Sequence, residues 1–209
     1  MMIYAAMIQA APGKAAEGAG LMTKLRDAVA AASGQEAWAW SLVAGAPIGA
    51  FMISTRVDGT AGLIDLQQKL AGDSTYQKLA TSGSGVWAAP AETSLARIVG
   101  GSGEQGAPKP VITVTRATIA GGHVAEAMAW ANKVLNHVTK ETGMGGVLTT
   151  SAAGPMFQIS FLFGSDNGGQ LDEATEKLAA DEAYAKLVDS GGHLFVDGSA
   201  ERAVIAMMP

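Results

Sequence analysis

Few residues in this chain are of a type that does chemistry. Cysteine is absent, which removes thiolate nucleophiles, disulfides, thiolate-held zinc and iron–sulfur clusters. The only histidines are His123, His137 and His193. His123 and His137 stand fourteen residues apart in one helical pattern, about four turns along the axis, so they have no zinc-type spacing. His123 falls at a helix start, where a solvated ring is the ordinary role. His193 follows Ser190-Gly191-Gly192, and a loop there can reach the mouth of a binding site. Asp172, Glu173, Glu176, Asp181 and Glu182 surround a helix whose apolar residues are Leu171, Ala174 and Leu178. They read as a solvated outer face, because carboxylate acid–base work needs burial to move a pKa. Gly101-x-Gly103-x-x-Gly106 fits a dinucleotide fingerprint by letter. Ala107-Pro108-Lys109-Pro110 follows it, however, and cannot open the helix that would hold a pyrophosphate. These spacings imply no metal and no cofactor.

The aromatic and cationic residues point to binding. Trp38 and Trp40 alternate with Ala37 and Ala39, so both rings leave one side of a strand, with Leu42 beside them. They are either core against the helices or a flat aromatic wall for a ring-shaped or greasy ligand. On the next strand Phe51 and Ile53, matched in the second half by Phe157, Ile159, Phe161 and Phe163, belong against helices. The opposite side carries Ala50, Met52, Ser54 and Arg56, then Met156, Gln158, Ser160 and Leu162, a smaller and mixed face suited to lining a pocket. Arg56 ends in solvent or at a ligand. Arg116 interrupts the Ile112/Val114 face, so it reaches solvent or meets an anion. The candidate ligand-binding residues are Trp38, Trp40, Arg56, Arg116, Gln158 and His193. No residue is singled out as catalytic.

The elements that position these residues come in two copies. With a shift of 108 residues, Lys69-Leu70-Ala71-x-Asp73-x-x-Tyr76-x-Lys78-Leu79-x-x-Ser82-Gly83 lies over Lys177-Leu178-Ala179-x-Asp181-x-x-Tyr184-x-Lys186-Leu187-x-x-Ser190-Gly191, nine identities in fifteen positions. A shift of 109 fits the first helix better, pairing Glu17 with Glu126, Lys24 with Lys133 and Gly34 with Gly143. The period is that of a whole domain, not of a solenoid repeat. The expected organisation is a first repeat over 1–100, a Gly/Pro linker over 101–109 and a second repeat over 110–209. Each copy reads as strand (2–11, 110–119), helix (15–33, 123–142), hairpin (36–44 with 48–57, 145–152 with 156–164), helix (60–72, 168–180), a short helical piece to Gly83 or Gly191, and a closing strand (92–99, 200–208). The order β-α-β-β-α-β is the ferredoxin-like split unit, an α+β arrangement with helices on one sheet face.

Bulk properties agree with a packed domain. Hydrophobic residues make up 48% and charged residues 16%, enough to bury a core. Aromatics are only 6%, so each ring in a cavity counts for more. Net charge is −5 with no basic run, which argues against a nucleic-acid partner. Met1–Ala11 is apolar but has no Lys or Arg before its apolar stretch, and it is too short to span a bilayer. It is expected to be a buried strand of a cytoplasmic protein without a membrane partner.

The Tyr76/Tyr184 segments, the Ser-Gly pairs that follow them and Leu194-Phe195-Val196-Asp197-Gly198-Ser199 resemble the ends of domains in the dimeric α+β barrel superfamily, of the antibiotic-biosynthesis-monooxygenase-like kind. The resemblance covers both copies. It implies two antiparallel sheets packed face to face as an intramolecular barrel. Members of that superfamily include cofactor-free monooxygenases, haem-degrading enzymes, polyketide cyclases and lactone isomerases. The implied function is a small-molecule pocket, with a cofactor-free monooxygenase, cyclase or isomerase acting on a small aromatic or polyketide-like compound. The alternatives are a non-catalytic or stress-related module that holds a hydrophobic ligand, and a structural homo-oligomer with a filled barrel.

Overall fold

A computed structural model describes residues 1–104 and 106–209. Gln105, inside the expected linker, lies outside them. The elements are β1 (Met2–Gln9), α1 (Ala15–Ser33), β2 (Ala37–Ala44), β3 (Ala50–Val57), α2 (Gly59–Gly72), α3 (Ser74–Ser82) and β4 (Glu92–Ser102). The same order then repeats as β5 (Val111–Thr118), α4 (Val124–Thr142), β6 (Gly146–Ala153), β7 (Gln158–Ser165), α5 (Gly168–Ala179), α6 (Glu182–Ser190), a 3₁₀ turn at Gly192–Leu194, and β8 (Glu201–Met207). The fold is α+β, and the eight strands hydrogen-bond in the closed order β1-β3-β2-β8-β5-β7-β6-β4. β4 continues to Ser102, so Gly101 of the glycine-rich run is strand, and no helix begins at Gly106.

The chain divides into two compact units. Unit 1 comprises Met1–Arg97, Ala152–Gly154 and Ala206–Pro209; unit 2 comprises Ile98–Ser151 and Pro155–Ile205. In unit 1, β1 lies between β3 and β4, and β2 pairs with β3, all antiparallel. The last residues of the chain belong to this unit: Met208 N–H donates to the Ala39 carbonyl at 2.8 Å, and Arg26 Nη1 donates to the Pro209 carbonyl at 3.0 Å. In unit 2, β7 pairs antiparallel with both β5 and β6.

Each helical layer follows from apolar spacing. α4 buries Ala127, Ala131, Val134, Leu135 and Val138, a stripe at the three- and four-residue intervals of one helix face. It packs on Leu148, Ile159, Phe161 and Phe163 of the sheet. In unit 1, Val29, Leu66 and Leu70 pack on Met2, Val57 and Leu95, and Met22 packs on Phe51. α1 and α4 both end at a left-handed glycine, Gly34 at φ 72° and Gly143 at φ 74°, a conformation without steric cost only for glycine. The aspartate shared by the two copies is a helix cap. Asp73 accepts from the Tyr76 N–H, and Asp181 accepts from the Ala183 and Tyr184 N–H groups, which satisfies donors that the helix itself cannot.

The repeated Ser-Gly pair has a packing reason. A Cβ on Gly83 would stand 2.8 Å from Trp87 Cδ1, and one on Gly191 would stand 2.6 Å from Trp130 Cζ2. An indole therefore fills the space beside the glycine in each copy, but it comes from different places. Trp87 belongs to the loop after α3 and Trp130 to the middle of α4. At the matching positions stand Phe195 and Leu21. Trp130 Nε1 donates to the Leu187 carbonyl at 2.7 Å, and its ring meets Phe195 edge-on at 5.2 Å between centroids.

One expected strand face needs correction. Phe157 is not on the helix-packed face with Ile159, Phe161 and Phe163. It precedes β7 at φ 59° and is 56% exposed, because β7 begins only at Gln158. Asp181 also leaves the solvated acidic face expected of it: its capping position turns it toward His137.

Replacing Gly191 with alanine should push Trp130 out of its slot and lower stability by about 1–3 kcal/mol. Urea titration followed by circular dichroism checks this, and an unchanged midpoint would refute the slot.

Candidate functional site

Strand alternation sorts the two sheet faces of unit 1. Ala37 packs into the helical core, as do Phe51 and Ile53. Trp38, Trp40, Met52, Ser54 and Arg56 therefore lie on the face that the unit's helices leave uncovered. Neither ring therefore packs against the helices of its unit. Register places Trp38 opposite Ser54 and Trp40 opposite Met52, with Ile3 opposite Arg56 and Ala5 opposite Ser54.

Both rings reach diagonally along β3. Trp40 is 2% exposed, and its Nε1 donates to Ser54 Oγ at 2.8 Å. That bond satisfies the only polar atom of a buried indole. Trp38 is half-buried, and the Arg56 guanidinium carbon stands 5.5 Å from its ring centroid, within cation–π range. Trp40 and Ser54 are thus buried together, and the partly exposed ring of this face is that of Trp38, with the Arg56 guanidinium beside it. That pair can stack a planar ring and stabilise negative charge on it.

The other expected site residues belong to unit 2. Arg116 lies on the helix-free face of unit 2, opposite Ser160. Its Nε donates to Glu201 Oε2 at 2.8 Å, and both side chains are largely exposed, so a carboxylate of the same unit meets the cation. Gln158 is the first residue of β7, opposite Thr118. His193 is in the 3₁₀ turn after α6, on neither strand face. Among the described residues of unit 2, the positions matching Trp38 and Trp40 carry no aromatic side chain. Ala37 pairs with Thr55 as Gly146 pairs with Phe163, so the counterparts of Trp38 and Trp40 are Val147 and Thr149. Direct comparison of the sequences sets Gly146 and Leu148 there, one residue out of step, because the shift between copies is 109 in β2 but 108 in β3.

Two polar groups in the helical layers are structural. His137 Nε2 and Asp181 Oδ2 stand 2.6 Å apart, each side chain 20% exposed, and Tyr184 stacks on the imidazole at 6.0 Å. The pair ties α4 to α6. The Asp181 carboxyl is held below the usual aspartate value, first by the His137 hydrogen bond and then by the Tyr184 N–H. In unit 1, burial raises the phenols of Tyr4 and Tyr76, so neither is a base near neutral pH. A surface cleft of about 340 Å³ between α1 and α2 is walled by Ser33, Gln35, Asp58, Asp65, Leu66 and Lys69; it offers no aromatic surface. Among the described residues, no helix is long and apolar enough to cross a membrane.

No family model matches this chain, and no curated protein does. Solved structures share its fold over the full length. A candidate monooxygenase from Fusobacterium nucleatum superposes with a TM-score of 0.73 at 6% identity, covering 100% of this chain and 92% of its own. An anthrone oxidase-like protein gives 0.69 at 12% identity, with 100% and 91% covered. A major regulator of staphylococcal pathogenesis gives 0.59 at 11% identity, covering 100% of both chains. The tandem ferredoxin-like fold is thus shared with monooxygenase-like proteins and with a regulator. At these identities the likeness concerns fold, and function must be argued from the site.

Trp40→Phe leaves the Ser54 hydroxyl without its donor and should cost roughly 1–3 kcal/mol, with Ser54→Ala in the same chain recovering part of it. A double-mutant cycle in urea measures this; strictly additive losses would mean that the bond contributes nothing. Asp181 stabilises the fold through its lowered pKa. Its folded pKa lies below its unfolded one, so its contribution is complete above the unfolded value and disappears as pH falls through the folded value. Asp181→Asn should therefore flatten the acid limb of the stability–pH curve, read as melting temperature against pH.

Proposed function

We propose that the helix-free face of unit 1 binds a small aromatic molecule and that the protein oxygenates it without a cofactor. The observation carrying this reading is the guanidinium of Arg56 poised over Trp38, beside Trp40 held by Ser54. A planar, electron-rich substrate stacks on the exposed part of Trp38. Arg56 stabilises its phenolate or enolate form, and a cation placed where charge develops is an effective catalytic element. Such an anion can pass an electron to dioxygen directly. The overall change takes a methylene between two aryl groups to a carbonyl: one oxygen atom of O₂ enters the carbon and the other leaves as water with the two hydrogens. The fold shared with an anthrone oxidase-like protein supports this substrate class.

A ligand-binding role without turnover is the second reading. It is favoured by the residue types on this wall, where tryptophan, serine and arginine provide no general base of ordinary pKa.

An oxygen electrode with anthrones and naphthols as substrates, beside tryptophan fluorescence, separates the two. Oxygen uptake by the native chain that falls about tenfold or more in Arg56→Ala, with quenching lost in Trp38→Phe, is the expected result. Quenching without oxygen uptake selects the binding role. Neither signal with any aromatic probe would sink both.

A further inference from the structure

A separate cluster forms on the outside of unit 2. His123 precedes the first turn of α4, Glu126 lies in that turn, and His193 arrives from the 3₁₀ turn after α6. Glu126 bridges the two rings: Oε2 is 3.3 Å from His123 Nδ1, and Oε1 is 3.4 Å from His193 Nε2. The rings meet edge-to-face at 5.6 Å between centroids. One ligand atom from each residue falls within 4.8 Å of the others. Zinc-type ligands at about 2.0–2.1 Å on a tetrahedron stand roughly 3.3–3.4 Å apart; the two carboxylate–imidazole separations are of this size but run from different oxygens, so one carboxylate oxygen and both imidazoles must close on the ion. His123 is half-buried and Glu126 and His193 are exposed, which leaves room for that adjustment.

The backbone holds the two loops together. Ala120 donates its N–H to the Leu194 carbonyl at 2.9 Å, and its own carbonyl accepts from the His123 N–H at 3.2 Å. Leu194 is 1% exposed and anchors His193 from below, while the Phe195–Ile119 bridge fixes the strand beside it. The histidines are thus presented by a packed frame rather than by loose loops.

The first copy serves as an internal control. Its equivalent positions are Lys14, Glu17 and Gly85. There Lys14 Nζ and Glu17 Oε1 form a simple ion pair at 2.7 Å, with no third group. An ion pair at this corner therefore needs neither imidazole. Unit 2 replaces the lysine by a metal-binding side chain and adds a second one from 67 residues beyond Glu126. The positive end of α4 opposes a cation here, and the Glu126 carboxylate offsets it.

We propose that His123, Glu126 and His193 form a site for a borderline divalent transition ion of the zinc class, with the fourth position open to water or a ligand. Two imidazoles and one carboxylate are the donor set such ions take when one coordination position is left open.

The test uses the full chain, freed of metal with a chelator and exchanged into buffer. Zinc is titrated calorimetrically, and cobalt(II) by its visible absorption. One equivalent should bind, with the intense cobalt band of a four-coordinate ion. His193→Ala and Glu126→Gln should each weaken zinc binding by about tenfold or more, with circular dichroism and melting temperature near those of the native chain, since both side chains are exposed. His137→Gln, at the other histidine–carboxylate pair, should leave binding unchanged. No binding by the native chain, or equal binding by His193→Ala, would overturn the assignment. These readouts do not depend on the oxygenase reading, which can fail while the metal site stands.

Discussion

The aromatic face of unit 1 depends on the two-residue alternation of its strands against a helical layer that covers the other face. In unit 1, Phe51, Ile53 and Val57 turn to α1 and α2, which obliges Met52, Ser54 and Arg56 to turn the other way. The same rule sets Ala37 and Ala39 against the helical side and the two tryptophans away from it. A slip of one residue in β2 would exchange the indoles for alanines and destroy both the core contact and the wall. The pairing of β2 with β3 is thus the constraint on which that face is built. Trp40 reinforces it, since its bond to Ser54 forms only in that register.

Much of this fold is legible in the sequence because it is local or repeated. Helix lengths follow from apolar spacing, helix ends from Gly34 and Gly143, and domain order from the duplicated Lys-Leu-Ala-x-Asp-x-x-Tyr segment. That segment is repeated for physical reasons: its leucine enters the core, its aspartate caps a helix and its terminal glycine makes room for an indole. What stays hidden is whatever depends on contacts between distant segments. Trp87 and Trp130 fill equivalent slots from non-equivalent positions, so aligning the copies cannot reveal their common role. Phe157 looks like another member of an alternating apolar run, yet a left-handed turn removes it from the strand. The counterpart of Trp38 slips by a residue because two neighbouring strands carry different shifts.

The candidate sites divide along the same line. The tryptophan pair shows in the sequence because alternation alone puts two rings on one side. Its partner Arg56 is visible as a charge on the same face, but the placement of that charge over a ring is a tertiary fact. The histidine–glutamate cluster is invisible. His123 and Glu126 form an ordinary i,i+3 pair at a helix start, and His193 joins them only through the packing of Leu194 and the peptide groups of Ala120. Spacing rules for metal sites detect ligands that share a helix or a hairpin; they miss a site whose third ligand comes through the fold. Arg116 is the converse: it is conspicuous in sequence, yet in the structure it forms a solvent-exposed ion pair with Glu201, of a kind that contributes little.

Duplication explains why the two copies could diverge in opposite ways. Each unit must keep the residues that cover its sheet with helices, and there the copies agree: the capping aspartates, the Ser-Gly pairs and the core leucines. Positions outside that requirement are under no such constraint. At the helix-free face of the hairpin, unit 1 carries Trp38, Trp40 and Arg56 where unit 2 has Val147, Thr149 and Gly164. At the start of the first helix the chemistry is reversed, with a lysine ion pair in unit 1 and an imidazole–carboxylate cluster in unit 2. A homodimer of one such unit would carry each feature twice or not at all. A fused pair can carry an aromatic wall once and a histidine cluster once. The duplicated scaffold thereby separates the residues that must be shared for folding from those free to specialise.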